Sequence, residues 1–270
     1  VYSQHIVFLL LLSRSNILAA KKQYYGQMQS SVFIMYCNSP DEGKRMPIIS
    51  FATSKGGAGK TTSALALASE LARGGDKITL IDADPNQPLV RWAKLPGKPD
   101  NIEVVADESE ETILDSIENA SRSSKVVIVD LEGTASSRLS FAIGASDLVV
   151  IPCQGSMLDA PETAKAIKLV KQTERAVQRP IEYAVLFTKI PAAIATRNYK
   201  DINNQFNDAG ISVLPVQMIE REAFRTVFST GGTIHTIPST AVSGLSAAQE
   251  NAFALADSVI KRLSAKRKAA

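Results

Sequence analysis

The chain has little of what builds a disulfide scaffold or a metal cluster: two cysteines, two histidines and one tryptophan in 270 residues. Cys37 and Cys153 are too few for a disulfide framework, a zinc cluster or a four-thiolate iron–sulfur site. His5 and His235 have no Cys or His neighbour at ligand spacing, so His235 reads as an ordinary surface or core histidine. A reducing, cytoplasmic setting is expected. Long apolar runs are also missing. Ile6 to Leu12 is seven residues, far below the ~20 that cross a bilayer, and no basic residue precedes it as in a secretory leader.

Charge of one sign is scarce as well. The formal net charge is +3, and residues 1–45 carry all of it, with five Lys/Arg against two Asp/Glu. Lys261, Arg262, Lys266, Arg267 and Lys268 add +5 near the C-terminus, which leaves residues 46–260 at −5. Basicity is therefore local. Such a tail suits nucleic acid or an anionic membrane surface, or merely solubilises a frayed end.

Residues 1–45 drift through Gln, Asn, Ser and Tyr without a sustained period, whereas Met46-Pro47-Ile48-Ile49-Ser50-Phe51 reads as a start followed directly by a buried strand. The first 45 residues are therefore expected to be a disordered extension or mis-assigned upstream sequence, and residues 46–270 to form one domain. With 45% hydrophobic and 21% charged residues, the chain can bury a sizeable core.

From Met46 onward, short apolar runs alternate with amphipathic stretches. This is the rhythm of βα units in a doubly wound, mainly parallel sheet with helices on both faces. Strands are predicted at 48–52, 78–81, 103–105, 126–129, 148–151, 183–187 and 212–216, several of them continuous Val/Ile/Leu runs suited to burial on both faces. A helix is predicted over 61–72, stopped by Gly74-Gly75. Asp159-Ala160-Pro161-Glu162 predicts a capped helix to about Arg175, and Ser246-Ala247-Ala248-Gln249 opens the last one. No internal repeat or low-complexity linker suggests a second domain.

Lys55-Gly56-Gly57-Ala58-Gly59-Lys60-Thr61-Thr62 lies between a predicted strand and a predicted helix. In that context its glycines allow backbone N–H groups to wrap phosphates, helped by the positive end of the helix dipole. Lys60 is placed to reach the β- and γ-phosphates of ATP, and the Thr61 hydroxyl to hold Mg²⁺. Strict P-loop spacing calls for glycine at position 54, where this chain has Ser54. Lysine at Lys55 followed by Gly56-Gly57 instead resembles the deviant P-loop of the ParA/MinD family, and the resemblance extends from about Met46 to the C-terminus. It implies a P-loop NTPase fold, ATP and Mg²⁺ as cofactors, and a homodimer formed on ATP in which Lys55 crosses to the partner's nucleotide.

Asp82-Ala83-Asp84-Pro85 places two acids just past a strand, where ligands bind in parallel α/β sheets. Paired acids beside a phosphate site face Mg²⁺ and the attacking water, although a solvated turn ending the strand would use the same residues. The stretch resembles the family's first switch loop, which gives Asp84 the water-orienting role and puts Asp82 near the metal. Val126-Val127-Ile128-Val129-Asp130 is a hydrophobic strand ending in an acid, so Asp130 is the metal candidate. The family continues Asp-Thr-Pro-Pro or Asp-Thr-Pro-Gly, whereas this chain has Asp130-Leu131-Glu132-Gly133-Thr134. Gly133 retains an N–H able to sense the γ-phosphate, and Glu132 is an added charge.

Met218 to Arg225 followed by Gly231-Gly232 resembles the family's segment after the last core strand, where the base is cradled. An ordinary charged helix with Phe224, Val227 and Phe228 inward explains the same pattern. The resemblance implies a slow, partner-stimulated ATP hydrolase that binds nonspecific DNA in its ATP state and drives plasmid segregation or DNA transfer. Its partner would be a ParB-type or transfer-complex protein, and its location the nucleoid. Asp84-Pro85-Asn86-Gln87-Pro88-Leu89 leading into Arg91-Trp92 is similar to the ParA-like ATPases of conjugative and T-DNA transfer. Arg197, Lys200, Arg221, Arg225, Lys261 and Arg262 are candidate phosphate contacts. The alternative is a MinD-like membrane-positioning ATPase, using Val259, Ile260 and Leu263 with basic flanks. A superfamily reductase would need cluster cysteines that the chain lacks, and no second-substrate motif marks a synthetase.

Overall fold

The computed structural model describes residues 46–133, 136–156, 159–192 and 197–269; the expected extension at 1–45 lies outside them. Seven strands form one all-parallel sheet: β1 (Ile48–Phe51), β2 (Ile78–Ala83), β3 (Ile102–Ala106), β4 (Val126–Leu131), β5 (Leu148–Cys153), β6 (Glu182–Ile190) and β7 (Val213–Ile219). They are ordered β3-β2-β4-β1-β5-β6-β7. All seven runs predicted from the sequence are strands. β1, β2, β4 and β5 are buried along their full length, as expected of Val/Ile/Leu runs covered on both faces.

Eight helices accompany the strands in the described residues: α1 (Lys60–Ala72), α2 (Pro88–Ala93), α3 (Ile113–Ser123), α4 (Ser137–Ala145), α5 (Ala160–Ala176), α6 (Arg197–Asp208), α7 (Glu222–Thr230) and α8 (Leu245–Ala269). On one face, α3, α4, α5 and α6 contribute Ile117, Leu139, Val170 and Phe206 to a core shared with Ile81, Val129, Val149 and Phe187. On the other, α8 packs on α1 and β7, and α7 on α2 and α8. Because α1 lies between the sheet and α8, every residue from Ser63 to Ala72 is buried. This accounts for its Ala-rich, almost uncharged sequence.

One expected detail changes. Asp159 flanks α5, but its side chain makes no capping bond; its carboxylate takes Lys55 and Ser156 instead. A charge-assisted bond to an ammonium outcompetes a neutral backbone donor.

The chain leaves β1 at the centre of the sheet, adds β2 and β3 on one side, returns to insert β4 beside β1, and then builds β5 to β7 on the other. The crevice at the carboxyl end of β1 is therefore the switch point at which open α/β sheets bind ligands. Parallel register aligns the strand ends there: Phe51 pairs with Asp130, and Asp130 with Asp82.

Candidate functional site

The loop from Ala52 to Gly59 joins β1 to α1. Gly59 takes a left-handed conformation with φ 91° and starts the helix without a side-chain cap, so the N–H groups of the first turn remain available to an anion. A Cβ on Gly56 or Gly57 would meet nothing within 4 Å, so the loop is open on the side where phosphates would lie. Two residues outside the motif pin it from behind. The Thr188 hydroxyl at the end of β6 donates to the Ala58 carbonyl at 2.7 Å, and Gln154 after β5 donates to that of Gly57 at 2.8 Å. Neither belongs to a local pattern. The only sequence signal was a polar residue at or just beyond the end of an apolar strand.

Lys60 is 6% exposed, and its ammonium lies 3.3 Å from the Lys55 carbonyl. Burial lowers its pKa, partly offset by the attraction of Asp130, Asp84 and Glu132. Lys55 is turned away from this centre: its ammonium bonds the buried carboxylate of Asp159, to which Ser156 also donates. Burial alone would raise the pKa of Asp159, but these two bonds hold it below the usual carboxylate range. Ser54, standing where the strict motif has glycine, donates to Glu162 of α5 at 2.7 Å.

Asp130 is fully buried, and neither of its carboxylate oxygens has a hydrogen-bond partner of normal geometry. Burial raises its pKa to about 7, against the pull of the neighbouring Thr61 hydroxyl and Lys60. An orphaned buried carboxylate beside a threonine hydroxyl fits a hard, oxygen-seeking cation. No cluster of three or more His, Cys, Asp or Glu among the described residues could hold a metal by itself. This donor set matches Mg²⁺, which takes one or two protein oxygens plus phosphates and water.

The two acids of the first carboxylate loop differ in environment. Asp82 is buried, and its Oδ2 accepts from the N–H groups of Leu89 and Val90 at 2.7 and 2.9 Å, which ties down the start of α2. Burial raises its pKa against these backbone bonds. Asp84 is partly exposed and accepts from the Asn86 N–H at 2.8 Å, so its side chain remains at the mouth of the site. Glu132, unassigned from the sequence, pairs with Arg138 of α4 at 2.9 Å. Gly133 packs directly on the P-loop, where an added Cβ would lie 2.8 Å from the Gly56 nitrogen.

Beside Gly59 and Thr62, a cavity of about 230 Å³ is lined by Thr188, Met218, Arg221 and Phe224. Met218 is the penultimate residue of β7 and Phe224 lies in α7, so the Met218–Arg225 stretch both lines this cavity and opens a helix in which Ala223, Phe224 and, beyond the stretch, Val227 are buried. The Trp92 indole, 1% exposed, donates to the Gly232 carbonyl at 2.8 Å, joining the Arg91-Trp92 stretch to the Gly231-Gly232 turn.

The five basic candidates whose side chains are described do not gather on one face. Arg221 and Arg225 line the cavity beside the P-loop, and Arg225 pairs with Glu220 and Glu222. Arg262 pairs with Glu182 at the opposite end of the sheet, and Lys261 with Asp257. Lys200 is exposed on α6, whereas the side chain of Arg197 lies outside the described residues. Val259, Ile260 and Leu263 are 0%, 8% and 4% exposed. They serve the packing of α8 on α1 and β7, which leaves no such stripe for a membrane. No described helix is long and apolar enough to cross one.

Residues 46–263 match the family model described as VirC1 protein. A ParA protein of Rhizobium radiobacter is 39% identical over 218 residues, covering 81% of this chain and 98% of that protein. A virC1 protein of the same species is 28% identical over 191 residues, covering 69% and 82%. Among solved structures, apo McdA of Cyanothece superposes with a TM-score of 0.65 at 16% identity, covering 79% and 99%. The ATP complex of a variant of that protein gives 0.63, also at 16% identity, covering 80% and 97%. A glycine loop with an extra lysine, a buried carboxylate without a partner beside it and a matching family model over most of the chain converge: this chain belongs to the VirC1 family, within the ParA/MinD group of P-loop ATPases.

Proposed function

We propose that the chain is an Mg-dependent ATP hydrolase that dimerises on ATP, binds nonspecific DNA in that state and positions DNA for plasmid partition or transfer. The observation that carries this reading is the different placement of two lysines of one loop: Lys60 is buried, whereas Lys55 is 36% exposed and bonded to Asp159, away from that centre. A lysine at a phosphate loop with no task toward its own nucleotide is suited to a partner's.

In this reading the bare N-terminus of α1 and Lys60 hold the phosphates. Thr61 and Asp130 hold Mg²⁺, with Asp82 beside them mainly fixing the loop that carries Asp84. Mg²⁺ bound there supplies charge neutralisation and alignment of the phosphates. Asp84, at the mouth of the site, orients the attacking water, and Gly133 offers its N–H to the γ-phosphate. A slow turnover, accelerated by a ParB-type or transfer-complex protein, would release the dimer from DNA. The reading places the protein in the cytoplasm on the nucleoid, with DNA contacts supplied by the dimer surface and the basic C-terminal end.

The test is binding of the protein to nonspecific duplex DNA and to anionic vesicles, each with Mg-ATP and with ADP, at several salt concentrations. ATP-dependent, salt-sensitive DNA binding supports the proposal. Vesicle binding without DNA binding overturns it in favour of a membrane-positioning role.

A further inference from the structure

Glu132 is an acid placed where an acid should harm function. It follows Asp130 by two residues, it is close enough to Lys60 to attract that ammonium, and its neighbour Gly133 packs on Gly56. A carboxylate there repels an anionic nucleotide, and repels it more as phosphates are added. Leu131, by contrast, is buried in the core at 1% exposure, so the strand end itself is ordinary.

The structure also contains the compensation. Arg138 is 4% exposed, and its guanidinium meets Glu132 Oε1 at 2.9 Å. Its Nε is buried without a hydrogen-bond partner, so Glu132 is the only ion-pair partner described for this buried cation. Arg138 is the second residue of α4, whose N-cap Ser136 accepts from the Leu139 N–H at 3.3 Å. The pair therefore ties the end of β4 to the first turn of α4 and fixes the direction in which the 132–133 peptide meets the P-loop.

We propose that Arg138 is a positioning residue for the nucleotide: by neutralising and anchoring Glu132, it lets the site accept the third phosphate and so distinguish ATP from ADP. This rests on the reading of the chain as an ATP-binding protein. Charge balance makes the effects of single changes unequal. Arg138→Met leaves an acid without its ion pair near Lys60. Glu132→Gln leaves a buried cation, which an anionic ligand tolerates. The double variant has neither.

The experiment is equilibrium binding of a fluorescent non-hydrolysable ATP analogue and of fluorescent ADP to full-length wild type, Arg138→Met, Arg138→Lys, Glu132→Gln and the double variant, with folding checked by circular dichroism. Expected is about tenfold weaker binding of the ATP analogue by Arg138→Met, with ADP changed by under about threefold. Arg138→Lys should lie nearer wild type, and adding Glu132→Gln to Arg138→Met should restore ATP affinity. If Arg138→Met does not fold, Arg138→Gln, which also removes the charge while keeping Glu132, takes its place in the same comparison. Equal losses for both nucleotides, or no rescue by Glu132→Gln, overturn the proposal and leave the pair a structural strap. Absence of nucleotide binding by wild type overturns the underlying reading instead.

Discussion

The ammonium of Lys55 is bonded to the carboxylate of Asp159, a residue 104 positions later in the chain that is only 3% exposed. The lysine that marks the family's deviant P-loop is thus held by its own subunit, and any reach toward a partner has to break this bond. Asp159→Asn is expected to lower the protein concentration needed for the ATP-bound dimer. Lys55→Ala should keep nucleotide binding and lose the dimer. Sedimentation velocity with Mg-ATP and with ADP measures both. A wild-type monomer–dimer balance in Asp159→Asn would show that the bond does not restrain Lys55.

Asp130 gives a pH prediction. Its pKa in the folded chain is raised from 3.8 to about 7 by burial, so between those values the folded state holds a proton that the unfolded state has released. Stability of the nucleotide-free protein therefore falls as pH rises through this window, by roughly 4 kcal/mol as an upper bound from this group. Asp130→Asn should stabilise the nucleotide-free chain at pH 8, and the gain should disappear below about pH 4. Urea unfolding at the two pH values tests this. An equal gain at both would mean that ionisation of Asp130 is not the cause. The same variant should lose the stabilisation that Mg-ATP gives the parent.

Gly133 tolerates no side chain without movement of the P-loop. A Cβ there would stand 2.8 Å from the Gly56 nitrogen and 3.0 Å from its Cα, and both are backbone atoms that cannot swing aside. Gly133→Ala is expected to cost about 1–3 kcal/mol and to weaken nucleotide binding. Calorimetric titration alongside thermal unfolding separates the two effects.

The roles proposed for Lys60 and Asp84 have opposite signatures. Lys60→Ala removes the buried ammonium and should abolish nucleotide binding. Asp84→Ala leaves the phosphate cradle intact, so ATP should remain bound, with turnover reduced at least about tenfold and the dimer persisting. Single-turnover hydrolysis with filter binding measures both. Wild-type hydrolysis by Asp84→Ala would remove that residue from the water-orienting role.

The sequence by itself determined the seven strands and their parallel arrangement, because strands buried on both faces must be continuous Val/Ile/Leu runs such as 126–129 and 148–151. It also determined the glycine loop between β1 and α1, because Gly56, Gly57 and Gly59 between a strand and a helix meet a local backbone requirement. Only the tertiary structure decided which acids remain available. Asp82 and Asp84 look equivalent in sequence, yet Asp82 is tied to the start of α2 while Asp84 stays at the mouth of the site. The partners of Lys55, Glu132 and the Ala58 carbonyl were equally invisible, since Thr188 lies 130 residues from Ala58. The same held for Val259, Ile260 and Leu263, whose apolar stripe suited a membrane as well as a core until the packing of α8 on α1 and β7 chose between them. Periodicity and glycine placement act within a few residues and so are written locally. Charge pairing and helix docking depend on which distant segments the sheet order brings together, and that order is set by the burial of the whole chain.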